Sequence, residues 1–263
     1  MMMRLFKLAF LFSAIASLQP SPSLAQVALP AETIQIGLST DKISIDPNFS
    51  GAALTIFGAL DGADPLVQRQ GRYDLVVVLG GPEVPQVVRR KARVFGMWVN
   101  TASASFNLAP LSYITASTRN LQDITDRATF SKLNLGVGAL KLDSNADKTA
   151  IAGEFADAFK QINSDNGTYS ESSGKVEFIS QNLFRATLQL PANIPVGQHQ
   201  ARAFLFRNGT FIRESSADLE IAKSGLEQAI FTAAHDQSLW YSFAAITLAM
   251  VIGWLGNAVF RKG

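Results

Sequence analysis

From Leu239 to Phe260 the chain carries no charged residue, and no other stretch constrains its folding as strongly. These 22 residues, at 1.5 Å rise, make a helix of about 33 Å, enough to cross a hydrocarbon core of roughly 30 Å. Trp240 and Tyr241 open the stretch, where amphipathic rings settle at headgroup level. Arg261 and Lys262 follow it, while His235 and Asp236 precede it. Positive charge stays on the cytoplasmic side, so the expected orientation puts residues 261–263 inside and the body of the protein outside. Within the span Tyr241, Ala245, Ala249, Gly253 and Asn257 recur every fourth residue. Small residues at that spacing let helices approach closely, which marks Ala245, Ala249, Gly253 and Asn257 as candidate helix-packing positions.

The other end has the layout of a secretory signal. Arg4 and Lys7 precede an apolar run from Leu8 to Leu18, followed by a segment with Pro20 and Pro22 and small side chains at Ser23 and Ala25. The run is too short to span a bilayer, so residues 1–25 are expected to be a signal peptide cleaved before Gln26. No Cys is present for lipoprotein processing. The expected product is a single-pass protein of the inner (cell) membrane, with its N-terminal domain in the periplasm and its C-terminus in the cytoplasm.

This topology changes the meaning of the charge balance. Setting aside Arg4, Lys7, Arg261 and Lys262 leaves 19 of the 23 basic residues against 21 acidic ones. A slightly acidic ectodomain argues against a general nucleic-acid surface. Zero Cys excludes a disulfide scaffold, a thiol nucleophile and thiolate metal ligation. Roughly 210 residues remain, enough to bury a core without covalent staples.

The first half reads as strands. Thr33–Ser39 alternates Ile34, Ile36 and Leu38 with polar residues, and Lys42–Asp46 repeats the pattern. Leu54–Gly58 and Asp74–Leu79 follow, the latter apolar on both faces and therefore central. Gly80-Gly81-Pro82 ends it. One long strand is expected over Val87–Val99, and another over Ser112–Ser117. Short strands with Gly, Pro and Asp turns predict an immunoglobulin-like β-sandwich over 26–118.

From Asn120 the period changes. Ser144 and Asp147 make a capping box ahead of Ile151, Phe155, Phe159 and Ile162 at helical spacing, ended by Asn166-Gly167. Strands are expected near 175–179, 183–190, 198–207 and 210–221, with Phe184, Ala186, Leu188 and Leu190 on one face. Asn208-Gly209 joins the last two as a tight hairpin. Residues 119–224 thus form a smaller helix-containing β unit, packed on its own helices or docked on the first half. A juxtamembrane helix over 225–238 leads into the span at 239–260. The fold class is a mainly β ectodomain followed by one transmembrane α-helix.

Catalytic groups are sparse. His199 and His235 are the only histidines, no Gly-x-Ser-x-Gly elbow is present, and no His pair has metal-ligand spacing. Asp143-x-Asn145-x-Asp147 with Glu154 in the twelfth position imitates a calcium loop, but Lys148 stands where the turn needs glycine. The same acids suit a helix N-terminus. No catalytic residue, metal or cofactor is assigned. The sharpest polar feature is Val87-Val88-Arg89-Arg90-Lys91-Ala92-Arg93-Val94. In a strand Arg89, Lys91 and Arg93 share one face about 7 Å apart, a candidate site for an anion or an acidic partner. Arg90 points the other way and calls for an acid. A solvated edge strand, guarded by cations against aggregation, explains the run equally.

Gly80-Gly81-Pro82 with Val88-Arg89-Arg90-Lys91 and Gly96-Met97-Trp98-Val99-Asn100-Thr101 resembles the signature of the alphaproteobacterial transmembrane protein family Alph_Pro_TM. So do Leu183-Phe184-Arg185-Ala186, Leu190-Pro191-Ala192-Asn193-Ile194-Pro195-Val196-Gly197, and Gly253-Trp254-Leu255 ahead of Phe260-Arg261. The resemblance covers nearly the whole mature chain and departs at Gly80, where the pattern has a basic residue before Gly-Pro. It implies topology and fold but no reaction. The resemblance also implies genes that often lie beside a sulfite-exporter-like permease, and with them an accessory role. The expectation is a non-enzymatic, membrane-anchored periplasmic protein whose partners are the lipid bilayer and a membrane protein such as a permease. A periplasmic small-anion-binding module and an envelope hydrolase are the alternatives.

Overall fold

A computed structural model of the chain describes residues 32–144, 149–171, 174–224, 230 and 234–260. The signal peptide at 1–25, the Asn145, Asp147 and Lys148 positions of the calcium-like loop, the capping contact of Ser144 with Asp147, and most of the helix at 225–238 lie outside the described residues. So does the cytoplasmic tail.

Twelve described strands and five helices make up the rest. In chain order they are β1 (Thr33–Leu38), β2 (Lys42–Ile45), β3 (Ala52–Asp61), α1 (Pro65–Arg69), β4 (Tyr73–Gly80), β5 (Glu83–Val94), β6 (Met97–Pro110) and β7 (Tyr113–Ser117). Then come α2 (Leu121–Ile124), α3 (Arg127–Leu133), α4 (Thr149–Asp165), β8 (Tyr169–Ser170), β9 (Gly174–Phe178), β10 (Leu183–Leu190), β11 (Gly197–Arg207), β12 (Thr210–Lys223) and α5 (Ser238–Phe260).

Ten strands form one sheet in the order β1-β3-β10-β9-β7-β4-β11-β12-β2, with β8 beside β7. β1 and β2 sit at opposite ends of this path, yet only residues 39–41 join them. So short a link reaches about 10 Å, which forces the two ends together. The sheet curls accordingly, and β1 packs against β12. The expected sandwich is realised as one curled sheet around a shared core. Strands from either side of residue 118 alternate within it: β3 pairs with β10, and β4 with β11. The two sequence halves are therefore one body, the second docked strand by strand into the first.

Alternation decides which side chains enter which core. Leu75, Val77 and Leu79 of β4 face the inside of the curl with Ile56, Leu188, Ala203 and Leu205. Val76 and Val78 face the opposite way, where Phe204, Phe206, Phe106, Phe155 and Phe159 form a second core beneath α4. β4 is buried from Tyr73 to Leu79, as its two-sided apolar pattern required. Each fully buried Phe contributes roughly 2–3 kcal/mol. The expected face of β10 is also present: Phe184, Ala186, Leu188 and Leu190 are all buried.

Three expectations need correction. The strand expected over Val87–Val99 is two strands, β5 and β6, which turn at Phe95-Gly96 and pair with each other as a two-stranded sheet, with one isolated bridge from Phe106 of β6 to Ser144. Alternation runs through the turn unbroken, so only Gly96 marked it. Ile162, placed on the apolar stripe of α4, is 52% exposed while Phe155 and Phe159 are buried. The stripe drifts off the core by the last turn. The short helices α1, α2 and α3 were not anticipated; Asp64 and Asp126 cap α1 and α3 through their side chains.

α5 is uncharged and long enough to cross a membrane, and none of its apolar window is buried in the protein. Its apolar side chains thus have the exposure of a lipid-facing helix.

Candidate functional site

Three separate stretches meet at the root of the β5–β6 hairpin. The Gly81 amide donates to the Ser112 carbonyl at 2.8 Å and Leu111 N–H to the Pro82 carbonyl at 3.0 Å. This ties the end of β4 to the start of β7. Ser112 Oγ then lies 3.2 Å from His199 Nε2 on β11, and His199 Nδ1 lies 3.2 Å from the Gly197 carbonyl. Because a carbonyl only accepts, Nδ1 carries the proton and the neutral ring accepts the Ser112 hydroxyl at Nε2. Burial pushes the His199 pKa below its ordinary value, and the Gly197 carbonyl opposes this in part. Gly81 is obligatory: a Cβ there would stand 2.3 Å from Ser112 Oγ and 3.3 Å from His199 Nε2.

A Ser beside a His invites comparison with a hydrolytic triad. Here the third position is filled by a backbone carbonyl in place of a carboxylate, and Ser112 and His199 are 0% and 1% exposed. A cleft of about 650 Å³ passes His199, Gly81, Glu83, Asn134, Arg202 and Asp218, but Ser112 does not line it. The pair works as a buried polar staple holding the hairpin's root to the sheet.

From that root the hairpin rises across α4. Val88, Ala102, Ala104 and Phe106 belong to the second core. Arg90 reaches Glu154 at 2.5 Å and lies 5.2 Å above the Phe155 ring, which supplies the acid its orientation called for. Glu154 is thus committed to Arg90 and not to a cation loop. Beyond the rung that pairs Arg90 with Ala102, every residue from Lys91 to Thr101 except Ala92 is exposed.

The sequence-derived site residues Arg89, Lys91 and Arg93 are exposed on β5, with Arg93 Nε donating to the Gly96 carbonyl at 3.3 Å. They form a row on an open strand and do not converge on a pocket. Among the described residues none of the three makes an ion pair, whereas Arg90, Arg119, Arg185, Arg202 and Arg207 do. The sequence reading missed the apolar tip they lead to: Phe95 is 99% exposed, Trp98 70% and Met97 67%. A single strand over Val87–Val99 hides this tip, which appears once Gly96 is recognised as part of a turn.

Two further polar clusters also escaped notice. Arg119 Nε and Nη2 fork onto buried Asp74 at 2.7 and 2.5 Å, and Thr118 Oγ1 donates to it at 3.0 Å. Glu32 accepts from Tyr73 at 2.5 Å and from Arg207 at 2.8 Å. Their members lie 45 and 175 residues apart in sequence, so no local pattern announces them. In the span, Ala245, Ala249, Gly253 and Asn257 are exposed on α5.

A family model described as "Putative transmembrane protein (Alph_Pro_TM)" matches residues 33–262. No curated protein matches the chain. Among solved structures, AggA, the major subunit of aggregative adherence fimbriae type I from Escherichia coli, aligns at 6% identity. That alignment covers 74% of this chain and 96% of that one, with a TM-score of 0.25. A chain described as "BspA_C_mut" aligns at 11% identity over 68% of this chain and 47% of its own, with a TM-score of 0.21. At such scores neither likeness bears on fold or function.

Proposed function

The chain belongs to the Alph_Pro_TM family of transmembrane proteins, and we propose that it is a non-enzymatic, inner-membrane-anchored periplasmic protein that serves a membrane, transport-related assembly as an accessory subunit. The observation that carries this reading is the contrast between its polar groups. The Ser112–His199 pair is buried, while Arg89, Lys91 and Arg93 stand exposed on a projecting hairpin and make no ion pair among the described residues. A rigid projection on a tethered domain suits recognition at the bilayer surface. Within the membrane, the stripe of Ala245, Ala249, Gly253 and Asn257 supplies a face on which a partner helix packs.

The small-anion alternative fits less well. Arg89, Lys91 and Arg93 stand about 7 Å apart along an open strand, a spacing for a row of anionic groups and not for one enclosed ion. Affinity purification of the full chain from detergent-solubilised membranes tests the accessory role. Co-recovery of a membrane protein, lost when α5 is replaced by polyleucine, is the expected result. Recovery of the chain alone, with the polyleucine form fully functional in cells, would overturn it.

A further inference from the structure

The outer part of the β5–β6 hairpin has the chemistry of a membrane contact. Directly paired residues share a face, so Ala92 with Val99 and Val94 with Met97 make one side apolar. Lys91 with Asn100 and Arg93 with Trp98 make the other side cationic, continuing down to Arg89. Phe95 crowns the turn at φ 48°, left-handed geometry that Asn or Gly adopts freely and a bulky side chain resists. The protein thus spends backbone strain to place an aromatic ring wholly in solvent. Strain held in such a place points to use.

We infer that this arm is a second membrane contact: its tip and its Val94–Met97 face enter the headgroup–acyl boundary of an anionic bilayer, and Arg89, Lys91 and Arg93 bind the headgroup phosphates. The inference rests on the membrane-anchored reading of the chain but not on any protein partner. Charge complementarity supports it, because the cations make no ion pair among the described residues and line one face of the hairpin directly behind the apolar tip. Dimensions agree as well. Beyond the Arg90–Ala102 rung, four residues of β5, five of β6 and the two-residue turn extend about 15 Å. A tip buried about 5–10 Å, the depth of interfacial elements, leaves Arg93 and Lys91 level with the phosphates. Trp98 then occupies the headgroup zone its ring prefers. The Arg93–Gly96 hydrogen bond satisfies one turn carbonyl that lipid could not. Phe95, Met97 and Trp98 all stand exposed at the tip, which suits a fluid apolar surface.

The chain has no Cys, so a single Phe95→Cys substitution in the full-length protein takes one environment-sensitive fluorophore cleanly. The labelled protein is reconstituted at one copy per nanodisc, in phosphatidylcholine alone or with phosphatidylglycerol. Emission in the anionic discs should shift to the blue and be quenched by lipids spin-labelled near the headgroup. A label at Ser105, exposed on the same face but nearer the root than Arg89, should stay aqueous. Each Gln replacing Arg89, Lys91 or Arg93 should lower the insertion equilibrium roughly fivefold. Because the label replaces Phe95, quenching of Trp98 in a Trp240→Phe, Trp254→Phe chain provides the same readout with the native tip. Aqueous emission in anionic discs by both probes would overturn the proposal. So would a blue shift without lipid quenching that appears only when a second protein is present, since the arm would then be a protein-binding surface. Co-purification reads a different contact, so failure of either experiment leaves the other standing.

Discussion

The molecule builds two long hairpins on the same turn and uses them in opposite ways. β11 and β12 join at Asn208-Gly209, with φ of 51° and 81°; β5 and β6 join at Phe95-Gly96, with φ of 48° and 85°. Both are two-residue connections with consecutive left-handed residues, the geometry whose twist matches paired strands. β11 is flanked by β12 and β4 and buries Phe204 and Phe206 completely. Its turn is held in place: Asn208 N–H donates to the Arg72 carbonyl at 3.1 Å, and Thr125 Oγ1 to the Gly209 carbonyl at 2.5 Å. The β5–β6 hairpin forms a two-stranded sheet of its own, bridged to Ser144 near its root through Phe106, and leaves its tip in solvent. Shared local geometry therefore says little about role. What differs is which side chains the turn carries and what the strands have beside them.

The largest test of this contrast compares two phenylalanines. Phe204→Ala in β11 should cost about 4 kcal/mol of stability, the range for a fully buried ring in a core that cannot collapse around the gap. Phe95→Ala at the exposed tip should change stability by less than about 0.5 kcal/mol. Urea titration of the full chain in mild detergent, followed by far-ultraviolet circular dichroism, measures both. A costly Phe95→Ala would mean the tip is buried in the folded protein, and the contrast would fail.

The root of the projecting hairpin should be as unforgiving as the core. Gly81→Ala forces a methyl against Ser112 Oγ and the Ser112 amide and should cost about 1–3 kcal/mol, the range for overpacking. In a Ser112→Ala background the hydroxyl is gone, so the same substitution should cost measurably less. Equal costs in both backgrounds would dissociate Gly81 from the Ser112–His199 staple.

Why some of this was legible in sequence and some was not follows from range. β4 declared itself through an apolar run with no polar face, and the Asn208 hairpin through its turn dipeptide, both signals contained in a few residues. The span needed only length and absence of charge. The Phe95 turn was hidden because alternation continues across it, and one glycine is weak evidence against a period. The row of Arg89, Lys91 and Arg93 was visible as charge, but its projection from the domain depends on where α4 stops covering the hairpin. The Ser112–His199 pair, 87 residues apart, and the Asp74–Arg119 fork depend on how strands from both halves interleave. No local pattern encodes that order.

Acid should separate the two hairpins by titration. His199 in β11 has a folded-state pKa depressed by burial below its unfolded value of about 6.5. Between those two values the unfolded chain binds more protons than the folded one, so this contribution to stability is complete above pH ~6.5. It is lost progressively as pH falls toward the folded value, at up to about 1.4 kcal/mol per pH unit. His199→Gln should be less stable at neutral pH but show a shallower decline between pH 7 and pH 5. An unchanged slope would mean His199 is not the titrating group. The distal β5–β6 arm, residues 91–101, contains no His, Asp or Glu, so its lipid contact should be insensitive to the same change.

The smallest effect on stability is the most telling for use. If the two turns are equivalent as geometry, giving Phe95 the residue found at Asn208 should relieve the strain of a bulky side chain at positive φ. Phe95→Asn is therefore expected to stabilise the protein by up to about 1 kcal/mol, as Asn enters the left-handed region at lower cost than other L-residues. The same change removes the one tip residue that is entirely exposed, so lipid quenching of Trp98 in anionic discs should fall severalfold. Opposite signs in the two measurements would show that the tip carries Phe for contact at the expense of fold. A neutral or destabilising Phe95→Asn would mean that the ring helps hold the turn, and the two hairpins would then differ in their turns as well as in their surroundings.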